Sequence, residues 1–176
     1  MSLWLVRHGA TEWTEQGRLC GWTDIPLSPD GRAQADPLRH RLADHRFDGT
    51  WTSDLGRAVE FARLVWGHAG PDPRLRELDF GELEGRAWSD LNPQSRRALV
   101  RFDGFSAPGG ESVAQLEERV SEFLGDLDRG KHLIFTHGGV IRLLSRRWGV
   151  TSRAEPGQLT VLELEGTMAV ESRSKT

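Results

Sequence analysis

The 176-residue sequence contains one cysteine and no tyrosine. The single thiol, Cys20, excludes an intramolecular disulfide and any zinc site built from several cysteines. No stretch of 18 apolar residues occurs, so no helix is expected to span a membrane. The opening MSLWLV lacks the basic start and long apolar core of a secretory signal, and a cytoplasmic protein is expected. Neither HExxH nor CxxC is present, and no metal or other cofactor is expected. Charge of one sign is also missing: 23 basic residues face 26 acidic ones, which argues against a nucleic-acid binder. Repeats and low-complexity tracts are absent. What is present is a globular composition, 37% hydrophobic, with enough length to bury a core. One domain over 1–176 is expected, with a lid or insertion around 78–112. Nearly all the basic residues are arginines. Codon bias is the simplest cause, although guanidinium groups also suit planar oxyanions such as phosphate.

The hydrophobic pattern predicts alternating strands and helices. SLWLV (2–6) reads as a buried strand ending at Arg7. A glycine-punctuated loop, 9–27, follows. Ser28-Pro29 then reads as an N-cap and first helical residue of a helix over 29–45, which Pro37 should kink. GTWT (49–52) is a brief strand. Ser53 is expected to cap a helix with an apolar face of Leu55, Ala58, Val59, Ala62, Val65 and Trp66. A polar helix around 87–101 and the loop SAPGG precede an amphipathic helix opened by Glu111-Ser112. HLIFT (132–136) is a second buried strand, followed by a helix over 139–148. Strands at 159–164 and 168–172 should form a hairpin turning at Gly166. The alternation predicts an α/β fold, a three-layer α/β/α sandwich with a mostly parallel central sheet and an antiparallel edge.

Two segments share one design. LWLVRHG and LIFTHGG each place a histidine, His8 or His137, after a buried strand and before glycine. If the strands run parallel, both histidines emerge at the rim where open α/β sheets bind ligands. The glycines permit close approach, and those after His137 open a helix whose N–H groups favour an anion. The neighbouring Arg7, and Arg57 in the first turn of its helix, suit an oxyanion better than a metal dication. For Arg57 a solvated helix position is the plainer reading. For Glu77 it is a surface carboxylate paired with Arg74 or Arg76.

The ordered set LVRHGATEW, TSDLGRA, LRELDFGELEG and FTHGGVIR resembles the histidine phosphatase superfamily, also called phosphoglycerate mutase-like. The resemblance implies that His8 is the nucleophile that becomes phosphorylated. It likewise implies that Arg7 and Arg57 clamp the phosphoryl oxygens, that His137 completes the pocket, and that Glu77 serves as general acid and then base. Thr11 matches the hydroxyl residue lining the pocket. Thr14 stands where the family has asparagine, which puts one phosphate contact in question. Arg18, Cys20, Gly21 and Gly138 lie where the family meets substrate.

The implied partner is a small-molecule phosphomonoester. The implied activity is metal-independent phosphomonoester hydrolysis through phosphohistidine. The compactness of the chain favours this over a 2,3-bisphosphoglycerate-dependent phosphoglycerate mutase, the alternative. A non-catalytic phospholigand-binding module is a third reading, and the intact residue set argues against it. LRELDFGELEGRAW and PGGES resemble the alpha-ribazole-5'-phosphate phosphatases of cobalamin biosynthesis, and broad-specificity phosphatases carry similar strings. Trp13, Trp22 and Trp88 flank the motifs and can stack on a planar base. The sequence leaves the oligomeric state open.

Overall fold

A computed structural model of the chain describes residues 1–150 and 154–163. The strands are β1 (Ser2–Arg7), β2 (Gly49–Thr52), β3 (Gly70–Pro71), β4 (Lys131–Thr136) and β5 (Leu159–Glu163). The helices are α1 (Glu12–Glu15), α2 (Pro29–Ala33), α3 (Ala35–Leu42), α4 (Gly56–Val65), α5 (Pro93–Arg101), α6 (Val113–Gly125) and α7 (Gly138–Arg147). Short 3-10 turns lie at Pro73–Leu75, Gly81–Leu83 and Trp88–Asp90.

The sheet order is β3-β2-β4-β1-β5. β4 pairs parallel with both β1 and β2, β3 extends the parallel run, and β5 closes the edge antiparallel to β1. The mostly parallel sheet with an antiparallel edge is therefore found as expected. The second strand of the expected hairpin, 168–172, lies outside the described residues.

Side-chain alternation explains the layers. Leu3, Leu5 and Ile134 point to one face, where they meet Leu116, Val120, Phe123, Val140, Ile141 and Leu144 of α6 and α7. Val6, Leu133 and Phe135 point to the other, against Leu38, Leu42, Phe61 and Val65 of α3 and α4. Both faces are buried, so the strands read as continuous apolar runs.

Local chemistry moves several expected boundaries. The helix expected over 29–45 is two helices, and the break falls at Gln34 rather than at Pro37. Pro37 then sits in the first turn of α3, where its missing N–H has no intrahelical partner to lose. In α4 the buried stripe is Ala58, Phe61, Ala62 and Val65, while Val59 is exposed. The polar helix begins at Pro93, capped by Asn92, whose side chain accepts from Ser95 N. Ser112 caps α6 in a reciprocal capping box with Gln115. The SAPGG loop is tied to the Glu77 region: Glu82 N donates to Pro108 O and Glu111 N to Asp79 O, both at 2.9 Å.

Candidate active site

The β1–β4 register decides the site. Arg7 lies opposite Thr136, so the next residues, His8 and His137, leave adjacent parallel strands at the same rim. Their rings lie 4.9 Å apart, edge to face, and both side chains are buried. Ser53 follows β2 at that rim, and Arg57 reaches it from the first turn of α4.

The hydrogen bonds set the tautomers. His8 Nδ1 lies 2.7 Å from Gly9 O, and a carbonyl only accepts, so Nδ1 carries the proton. Nε2 is left with its lone pair, which accepts from Arg57 Nε at 3.3 Å. Arg57 Nη2 donates to His137 Nδ1 at 3.4 Å, so His137 is protonated at Nε2 and donates to Ser53 Oγ at 2.8 Å. Burial first, and then the charges of Arg57 and Arg7, hold His8 well below the usual imidazole range. Burial and Arg57 do the same for His137.

Arg57 is fully buried and also donates to Gly21 O at 2.5 Å and Thr23 O at 3.0 Å. Gly21 is thus a carbonyl anchor for Arg57. Arg7 donates from Nη1 to Ala154 O at 2.7 Å, while its buried Nε has no partner. Burial lowers the Arg7 pKa, and Glu77 and Glu155 offset part of that effect.

Glu77 is not the surface carboxylate of the plainer reading. It is buried, and Arg74 and Arg76 pair instead with Asp72, Asp126 and Asp54. Its Oε1 accepts from Leu78 N at 2.9 Å, and both oxygens accept from Gly139 N at 3.0–3.1 Å. The anion at the start of α7 is therefore Glu77 itself. A Cβ at Gly139 would collide with Glu77 Oε1, which explains the second glycine after His137.

These groups border a cavity of about 690 Å³. Arg7, His8, Glu77, Thr14, Arg18, Cys20 and Gly138 line it, whereas Arg57 and His137 are buried beside His8 and are not among the lining residues. Thr11 is fully buried and caps α1; its hydroxyl accepts from Thr14 N at 3.2 Å. The Thr14 hydroxyl accepts from Thr11 N at 2.8 Å and donates to Thr11 O at 2.9 Å, so it is engaged in its own capping box. Arg18 bonds Gln16 and the Gly85 carbonyl. Burial pushes the Cys20 thiol pKa up. Of the three tryptophans, only Trp88 lines the cavity; Trp22 bonds the Glu77 carbonyl at 2.8 Å, and Trp13 packs over Gly85. Among the described residues no group of three or more His, Cys, Asp or Glu is placed to hold a metal ion.

Two functional residues escape sequence reasoning. Ser53 accepts from His137 Nε2 at 2.8 Å and from Leu55 N at 3.3 Å, while the N-cap of α4 is Leu55. Arg119 of α6 donates to the carbonyls of Arg74, Arg76 and Glu77 and pairs with Glu111. No local pattern marks either one, because their partners lie far away in the chain.

A model of the histidine phosphatase superfamily (branch 1) matches residues 3–172. The chain belongs to this superfamily. One relative in it, "Probable phosphoglycerate mutase GpmB" of Serratia proteamaculans (strain 568), is 36% identical over 170 residues, covering 88% of this chain and 78% of that one. The crystal structure of TTHB049 from Thermus thermophilus superposes with a TM-score of 0.87 at 44% identity, covering 93% and 94% of the two chains. A structure described as a "putative alpha-ribazole-5'-P phosphatase" from Escherichia coli str. K-12 substr. MG1655 gives 0.75 at 28% identity, covering 92% and 89%. Histidine phosphatase superfamily membership accounts for a phosphoglycerate mutase-like fold with its histidine pair at one strand rim. No helix among the described residues is long and apolar enough to cross a membrane.

Proposed function

We propose that the protein is a phosphomonoesterase that works without a metal, through phosphohistidine, on small-molecule esters. The observation that carries this reading is the neutral, Nδ1-protonated His8, whose Nε2 lone pair lies beside Arg57 at the edge of a cavity that also presents Arg7 and Glu77. Neutral imidazole is not repelled by a phosphate dianion. Nε2 attacks phosphorus, the ester P–O bond breaks, and Glu77 gives a proton to the leaving oxygen. Glu77 then takes a proton from water, whose oxygen attacks phosphohistidine and releases inorganic phosphate and free His8. The Arg57 Nε–H shifts from Nε2 to a phosphoryl oxygen, and the unpaired Arg7 Nε supplies another donor. Each such preorganised donor is worth about 3 kcal/mol, or roughly a hundredfold in rate.

Trp88 and the apolar wall residues Phe80 and Phe102 support an ester with a flat or apolar body. Alpha-ribazole-5'-phosphate is one such ester, and the description of the E. coli neighbour adds support. The name of the GpmB relatives favours a second reading, transfer of the phosphoryl group to a phosphoglycerate hydroxyl. A panel of p-nitrophenyl phosphate, alpha-ribazole-5'-phosphate, sugar phosphates and phosphoglycerates tests both. Release of inorganic phosphate supports the hydrolase. Faster 3- to 2-phosphoglycerate interconversion primed by 2,3-bisphosphoglycerate would replace it with the mutase.

A further inference from the structure

Four arginines, Arg7, Arg18, Arg142 and Arg146, line the cavity with two carboxylates, Glu77 and Glu155, which act on Arg7 at the phosphoryl end. The Arg7 guanidinium lies against Gly138, so the start of α7 adjoins the phosphoryl pole. The same helix then brings Arg142, Ser145 and Arg146 to the cavity wall. Arg142 and Arg146 are four residues apart and share a helix face, a spacing at which like charges oppose each other. Among the described residues neither forms an ion pair. Arg142 is held against the Val100 carbonyl and the Phe102 ring. Burial, with Arg146 nearby, lowers the Arg142 pKa. Ser145 is buried and its hydroxyl has no hydrogen-bond partner. Arg142, half-buried, and Arg146, exposed, thus bring two guanidinium groups with no carboxylate partner to one wall of the cavity, a place for a counter-anion.

We propose that Arg142 and Arg146 form a second anion subsite, and that the preferred substrates are phosphomonoesters bearing a further oxyanion group. This rests on the phosphomonoesterase reading and narrows its substrate class, setting esters with a second anion above alpha-ribazole-5'-phosphate, whose only anion is its phosphate. Helical rise puts Arg142 about 6 Å and Arg146 about 12 Å along α7 from Gly138, so the second anion lies roughly that far from phosphorus. Leu99, Val100 and Phe102 on the wall suit an apolar spacer between the two charged ends.

The test compares hexyl phosphate with 6-(phosphonooxy)hexanoate, which share a hydrocarbon chain and differ by a terminal carboxylate. Calorimetry on the His8→Ala variant gives dissociation constants without turnover. The wild type gives kcat/KM, with p-nitrophenyl phosphate as the reference ester. The carboxylate ester should bind at least about tenfold tighter, since two guanidinium groups can share its charge. Arg146→Gln, an exposed position that does not endanger folding, should cut the preference to below about threefold. Arg142→Lys, which keeps the charge and loses the fork, should weaken it by a smaller factor. Equal affinities, or a preference that survives Arg146→Gln and Arg142→Gln together, would overturn the subsite. An intact binding preference without turnover of p-nitrophenyl phosphate would support the subsite and count against the hydrolytic reading alone.

Discussion

In the proposed mechanism, replacing Arg119 by lysine should separate proton donation by Glu77 from phosphoryl transfer. The guanidinium donates five hydrogen bonds: two to Glu111 at 2.8 Å, and one each to the carbonyls of Arg74 (2.8 Å), Arg76 (2.7 Å) and Glu77 (2.8 Å). It pins the backbone from which Glu77 projects. Lysine keeps the charge, but its single nitrogen cannot span three carbonyls and a carboxylate. Losing two or three of these bonds at a mostly buried site costs about 2–4 kcal/mol. For a chain of this length that lowers Tm by roughly 4–16 °C. The chemical effect depends on the leaving group. General acid catalysis is worth roughly a hundredfold to ten-thousandfold, so a displaced Glu77 should lower kcat/KM, which reports the steps through leaving-group release and not the water attack common to both esters, by about ten- to a hundredfold on an alkyl phosphate. With p-nitrophenyl phosphate, whose phenolate leaves unprotonated, the loss should stay below about threefold. Phosphate release from both esters at concentrations well below KM, assayed well below the variant's Tm, measures the split. An equal loss on the two esters, or none on either, would refute the positioning role.

Two further predictions follow from the titrating groups. His8 and His137 are neutral when folded, because burial and the arginines hold both well below the imidazole range. Their unfolded counterparts bind protons below about pH 6.5, so stability is lost as pH falls through that value. The two together predict roughly 2.7 kcal/mol less stability at about pH 5.5 than at about pH 7.5, and His8→Gln should halve the difference. Urea unfolding at the two pH values checks this, and equal stability would contradict it. The half-buried Cys20 thiol, whose pKa is raised, should react with iodoacetamide at neutral pH at least about tenfold more slowly than free cysteine. A faster reaction would show that the Arg57 charge outweighs burial there.

The rim of the sheet was legible because its signals are local. SLWLV and HLIFT are apolar runs, each histidine sits one step past its strand, and parallel pairing does the rest. Glu77 was legible only through the motif around it, since its anchors, Gly139 N and the Arg119-bound carbonyls, come from other parts of the chain. Ser53 reads as a cap because a serine before a helix usually is one, yet Leu55 is the N-cap, and the Ser53 hydroxyl accepts from both Leu55 N and His137. Pro37 suggested a kink where it sits, but a break three residues earlier gives it a first-turn position. The same limit hid Arg142 and Arg146: a helix pattern shows that they share a face, not that a cavity lies against it.

The most direct test of the central claim is a rapid quench of the wild type with a phosphomonoester radiolabelled in its phosphoryl group. Denaturation in base and peptide mapping then locate the label. The account predicts acid-labile, base-stable phosphate on the peptide containing His8, and none in His8→Ala. Turnover with no such label, or label on another residue, would contradict it.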